Sequence, residues 1–212
     1  MRISATVLGF ALVVLAAPTA PAADQPVFGK LLKVKNNLDP TRRAVVYFAK
    51  EPGSGSTVEG DPLNGGATLE VVIQPGLPGD TVSQQCFTLP ASGWSTISSL
   101  GYKYKDAGGV NGPVRTAFIK RTSSGTFLLK VALSGKLGAI TVHGLNHAAE
   151  GDAFFHIPGG DRYCSTFGGT IDPNGVSQFL GKNAPAPGAC ATPPLVCSPS
   201  GAFLDGAAGA LF

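Results

Sequence analysis

The 212-residue chain has almost nowhere to put a long helix. No window of a dozen residues is free of Gly and Pro while keeping apolar side chains at a 3.6-residue spacing. Charge is scarce as well, at 14% of residues. Leaving aside Arg2, 15 basic residues face 13 acidic ones, too even a balance to argue for nucleic acid. No GxSxG, HExxH or phosphate-cradling Gly loop occurs, and there is no CxxC. Glycoside hydrolysis needs two facing carboxylates, whereas the Asp and Glu residues sit mostly in turns. Asp39-Pro40, Asp61-Pro62 and Asp172-Pro173 are examples. These absences weigh against an enzyme, and no cofactor is expected.

What is present begins with a leader. Arg2 supplies a positive charge, Ile3 to Ala17 an Ala/Val/Leu-rich run, and Ala20-Pro21-Ala22 a small-x-small cleavage site. Residues 1–22 are therefore expected to be removed on export, to the periplasm or the extracellular space. The run is too short for a comfortable membrane span, and no other follows it. Four cysteines in an oxidising compartment are expected to form two disulfides. The favoured pairing is Cys164–Cys190, which pins the Pro-rich tail to the domain and leaves Cys86–Cys197. The local alternative, Cys190–Cys197 with Cys86 facing Cys164, stays open.

With 29 Gly and 17 Pro but 43% apolar residues, the chain reads as turn-rich and cored. Phe127, Leu129, Val131 and Leu133 alternate with polar or smaller neighbours, and the turn Thr122 to Gly125 joins them to a strand over 114–121. Tyr102 and Tyr104 alternate with Lys103 and Lys105 in a strand before it. Further strands are expected from Phe28 to Lys35, 43–49, 67–73, 82–89, 139–144, 153–157, 162–167 and 176–180. Asn146 to Asp152 reads as a loop and Asp172 to Gly175 as a tight turn. Trp94 is expected to plug the edge of the core. Together these predict an all-β fold, an antiparallel β-sandwich of jelly-roll or immunoglobulin-like type. It would have about ten short strands over residues 24–190, stapled by disulfides, with a Pro/Ala/Gly-rich tail over 191–212.

Several pieces, in order, carry a resemblance: LLKVKNNLDPTRRAVVYFAK, LPASGW, GYKYKD, GPVRTAFIK, RYCSTFGG and KNAPAPGAC. Over residues 28–190 the chain resembles a module recurring in exported proteins of environmental proteobacteria of the deltaproteobacterial and myxobacterial kind. The resemblance implies an exported β-rich module and brings no catalytic residues with it. The chain departs from that pattern in its His-containing loop and after Cys190.

Two groups of residues suggest a function. Lys33, Lys35, Lys103, Lys105, Arg115, Lys120, Arg121 and Lys130 recur at alternating positions on several strands, and they form one basic face if those strands are neighbours. With Tyr102 and Tyr104 offering rings for sugars, they point to a face that holds an anionic polysaccharide or lipopolysaccharide. The alternative for these lysines is simply to keep a sheet soluble. His143, His147 and His156, near Glu150 and Asp152, have types and spacing that suit zinc or copper if the fold brings them together. The expectation is a non-catalytic structural or interaction module whose partner is a cell-surface glycan or a protein. The second reading is a metal-binding protein or hydrolase using the three histidines.

Overall fold

The computed structural model describes residues 23–145, 148–168, 177–192 and 197. The expected leader, His147, the Asp172–Gly175 turn and most of the tail lie outside the described residues. Among the described residues twelve strands form two sheets. β1 is Asp24–Pro26, β2 Gly29–Lys35, β3 Ala44–Glu51 and β4 Ala67–Pro75. β5 is Ser83–Leu89, β6 Trp94–Thr96, β7 Gly101–Lys105 and β8 Val114–Arg121. β9 is Phe127–Ser134, β10 Ala148–His156, β11 Arg162–Gly168 and β12 Gln178–Ala184. The smaller sheet runs β1-β11-β10-β4-β5 and the larger β12-β2-β3-β9-β8-β7-β6. Every pair is antiparallel except β1 with β11. The chain is an all-β sandwich.

Alternation decides which side chains meet. On β9, Phe127, Leu129, Val131 and Leu133 are buried, facing Val45, Tyr47 and Ala49 of β3 and Ala117 and Ile119 of β8 in the same inner layer. Leu69, Val71 and Ile73 of β4 and Phe155 of β10 close the core from the other sheet. Two buried hydroxyls cross between the sheets: Tyr47 Oη lies 2.9 Å from Ser165 Oγ, which donates to the Val27 carbonyl at 2.9 Å. Burial pushes the Tyr47 phenol far above its ordinary range, so it stays a neutral hydroxyl. Where β12 meets the smaller sheet the rings leave no room for a side chain. A Cβ at Gly181 would lie 2.5 Å from Phe167 Cβ, and one at Gly151 would lie 2.5 Å from the Phe179 ring.

Trp94 occupies the edge of the core, as its sequence context suggests. It is buried, its Nε1 donates to the Leu89 carbonyl at 3.0 Å, and its ring packs against Tyr104 and Phe155.

Both disulfides of the favoured pairing are present, Cys86–Cys197 and Cys164–Cys190, each with Cα atoms 5.7 Å apart. Cys164, Phe154, Glu70 and Cys86 face one another in register across β11, β10, β4 and β5. The two tail cysteines are therefore anchored at opposite ends of one cross-strand row, three strands or about 14 Å apart. Val72, Phe154 and Cys164, on the face turned away from the main core, form a second small cluster with Cys190 packed against it.

Three local expectations need correction. Residues 139–144 form no strand. Their amides bond side chains instead of a ladder: Thr141 and Val142 N–H donate to Gln85 Oε1 at 2.6 and 3.1 Å, and His143 N–H to Ser83 Oγ at 2.9 Å. Ile140 and Val142 are still buried. The expected loop 146–152 is shorter than its Gly and Asn content suggested, because β10 starts at Ala148 and pairs on both sides. The two strands not expected, β1 and β6, are each three residues long, too short to show a period.

Candidate functional site

The outer face of the seven-stranded sheet carries the most distinctive chemistry among the described residues. Strand periodicity puts every second residue there, and the register aligns them in rows. One row runs Leu180, Lys33, Val46, Ala132, Thr116, Lys105. The next runs Lys182, Leu31, Phe48, Lys130, Phe118, Lys103. Lys35 flanks the first row, while Lys50 and Lys120 flank the second. Eight of the ten lysines in the chain thus share one face. No Asp or Glu occupies a described strand position on it. A net charge of +3 at pH 7 for the whole chain conceals this asymmetry.

Between the lysines the face is apolar. Leu31, Val46, Phe48, Phe118, Leu128 and Leu180 are half-buried, covered in part by the methylene stems of their basic neighbours. Lys120 Nζ sits 5.7 Å from the centre of the Phe118 ring. A hollow of about 320 Å³ opens here, lined by Arg115, Thr116, Phe118, Lys130, Ala132 and Ser134. Just past β7 the chain is held rigid by buried Asp106, whose carboxylate accepts from the Asn111 and Val110 N–H groups at 2.7 and 3.0 Å. Those bonds, Asn111 first, hold its carboxyl below the ordinary value.

The four residues expected to bind together do not share a surface. Lys103 and Lys105 are exposed on the lysine face, whereas Tyr102 and Tyr104 point to the opposite side of β7, as a two-residue period requires. Tyr104 is only 2% exposed and packs 5.4 Å, centre to centre, from Trp94. It is closed to any sugar, and burial raises its phenol pKa. Tyr102 is half-buried and lines a separate groove of about 570 Å³ with Arg121, Thr57, Thr96, Ser99 and Ser123. Arg121 also leaves the lysine face: it pairs with Phe127, and its Nη2 donates to the Ser54 carbonyl at 2.8 Å. In compensation Lys50 and Lys182 join the face. The sequence reading ended their strands one or two residues too soon.

The two described histidines, His143 and His156, do not converge. His156 lies on β10 opposite Thr68 and Arg162, half-buried, and burial followed by the Arg162 charge lowers its pKa. His143 lies beside Ser83, its Nδ1 3.0 Å from both Ser83 Oγ and the Thr141 carbonyl. Ser83 faces Ile73, five residues along β4 from Thr68, so the two imidazoles sit at opposite ends of the smaller sheet, about 17 Å apart along the strand. Asp152 bonds Thr166 Oγ1 at 2.8 Å and Gln74 Nε2 at 3.5 Å. Glu150, half-buried on the same strand, has its pKa raised by burial and by Asp152. The described atoms that do converge on metal-like spacing are those of Glu70, Cys86 and Cys197. Both sulfurs there are spent in the disulfide.

No family model matches this chain, and neither a curated protein nor a solved structure matches it.

Proposed function

We propose that the chain is an exported, non-catalytic interaction module that binds an anionic surface polysaccharide through the lysine face of its larger sheet. The observation that carries this reading is the segregation of eight lysines, with no carboxylate at a described strand position, onto one side of the seven-stranded sheet. Lys130 and Lys103 stand two strands apart, about 10 Å, and Lys33 and Lys105 four strands apart, about 19 Å. Charges spread this widely over a broad surface suit an extended polymer better than a compact ligand. Export is supported by the leader-like residues 1–22 and by two disulfides.

The test uses polygalacturonate, with uncharged dextran as control. Binding to the polyuronate is expected at low salt, lost at about 0.5 M NaCl where exposed charges are screened, and absent for dextran. The triple variant Lys103→Ala/Lys105→Ala/Lys130→Ala is expected to weaken it about tenfold or more, the equivalent of about 1.4 kcal/mol. Absence of binding to polygalacturonate at low salt overturns the reading.

A further inference from the structure

The first described residue, Ala23, is held at both of its polar groups. Its N–H donates to Asp161 Oδ1 at 2.9 Å, and its carbonyl accepts from Arg162 N–H at 2.9 Å. Asp161 is 6% exposed. A buried carboxylate is costly unless a cation or several donors meet it. One further donor is Gln25 Nε2, on the other carboxylate oxygen. The Gln25 amide is oriented for this, since its Oε1 accepts from Thr57 N–H at 2.9 Å. No side-chain cation pairs with Asp161 among the described residues. The nearest candidate, Arg162, is committed to Asp24 through two bonds of 2.7 and 2.5 Å.

The residue carried on this carboxylate is the one that follows Ala20-Pro21-Ala22, the small-x-small sequence of the expected leader. We propose that Asp161 is a built-in acceptor for the chain's own α-amino group, created when the Ala22–Ala23 bond is cut. A leader peptidase adds water across that peptide bond: the hydroxyl goes to the Ala22 carbonyl carbon, and the Ala23 nitrogen departs with the bonding pair and takes up protons. In the uncut chain Asp161 receives one neutral amide N–H from Ala23. In the cut chain it receives an ammonium at the same position, and a neutral hydrogen bond becomes a charge-assisted one.

The consequence is structural. β1 is three residues long, at a sheet edge, and paired in parallel with β11 alone. Beyond that pairing and the Val27 N–H to Cys164 carbonyl bond, its hold on the domain comes from Ala23, Asp24 and Gln25. Processing therefore tightens the strand that carries the cut end, and the same strand leads through Val27 and Ser165 to buried Tyr47. The ionisable and charged groups around the new terminus are Asp161, Asp24, Arg162, Glu59, Tyr163 and His156. Asp24 is neutralised by Arg162, and buried Tyr163 remains a neutral phenol, which leaves Asp161 as the facing counter-charge. An α-amino group ordinarily titrates near about 7.7–8.0, and pairing raises that value in the folded chain. The stabilisation is complete below the ordinary value and disappears as pH rises through the raised one.

Three measurements test this, independently of the lysine face. The intact mass of the product exported from a bacterial host carrying the full chain is expected to start at Ala23; any other first residue overturns the assignment of the cut. A chain beginning at Ala23 is expected to melt about 2–4 °C above one that retains Ala22. That gap should close at pH above about 10 and in the Asp161→Asn pair; equal melting temperatures, or a gap that survives the substitution, overturn the ion pair. Should the Asp161→Asn chains fail to fold, NMR titration of the Ala23 methyl group in the unaltered mature chain decides. A pKa raised clearly above about 8 supports the pair, and an ordinary value overturns it.

Discussion

Asp152 shows how a single group sets a pH dependence. It is 2% exposed, on the outward face of β10, and burial raises its carboxyl above the ordinary 3.8, with the Thr166 and Gln74 bonds offsetting only part of the cost. A raised carboxyl binds its proton more tightly folded than unfolded. Its contribution to stability is therefore whole below pH 3.8 and is lost as pH rises through the folded value. Asp152→Asn removes the ionisation and keeps a carbonyl for Thr166 Oγ1. The variant is expected to melt about 2–4 °C above the parent at pH 7, the effect of about 1 kcal/mol on a chain of this size, with the advantage fading as pH falls towards 3.8. Thermal scans from pH 3.5 to pH 8 check it, and a variant that is destabilised at pH 7 refutes it. His156 works in the opposite direction at the far end of the same strand. Its lowered pKa means that its neutral form is preferred in the fold, so stability drops as pH falls below the usual 6.5.

At the scale of elements, what could be read from the sequence depended on who supplies the hydrogen bonds. Strands β2, β3 and β9 were legible because alternating burial writes a two-residue period into the residues themselves, whereas β4, buried on both faces, was legible as a short apolar run between turns. The stretch 139–144 has that period too, with Ile140 and Val142 buried. Its amides are nevertheless met by the side chains of Gln85 and Ser83, a fact no local pattern records. The bonds tie the segment to β5 through side chains, while Ile140 and Val142 join the main core. Gln85→Ala removes the acceptor of Thr141 and Val142 N–H and the donor to the Ala139 carbonyl. A loss of about 1–3 kcal/mol is expected, with faster hydrogen exchange at Thr141 and Val142 and unchanged protection on β9. Unaltered exchange at those two amides would show that the side chain is dispensable. The candidate site was half legible for a related reason. Lysines could be counted, and alternation could have separated them from Tyr102 and Tyr104, but their convergence depends on register across β12, β2, β3, β9, β8 and β7, which pairs residues up to about 150 positions apart.

For the molecule as a whole, the two sheets have unlike outer faces, and the disulfides explain the difference. The larger sheet keeps its apolar outer side chains half-exposed among lysines. The smaller sheet has Val72 at 0% and Phe154 at 4% exposure on the corresponding side; Phe154 lies in the row whose ends are Cys164 and Cys86, and Val72 in the row beside it. The bridges span 26 and 111 residues. In the chain-entropy account they stabilise by about 3.5 and about 5 kcal/mol respectively. With the shorter bridge made, the longer still closes most of its loop, so the two contributions nearly add. Their total is comparable with the whole stability of an ordinary domain, about 5–15 kcal/mol, so the main core alone is expected to be marginal. Urea unfolding of Cys164→Ala/Cys190→Ala, Cys86→Ala/Cys197→Ala and the four-fold variant separates the terms. Each pair should lower the midpoint without unfolding the chain, the 86/197 pair by more, and the four-fold variant should populate unfolded chain in dilute buffer. Coincident midpoints for the parent with and without reductant would show that the sandwich stands on its packing alone.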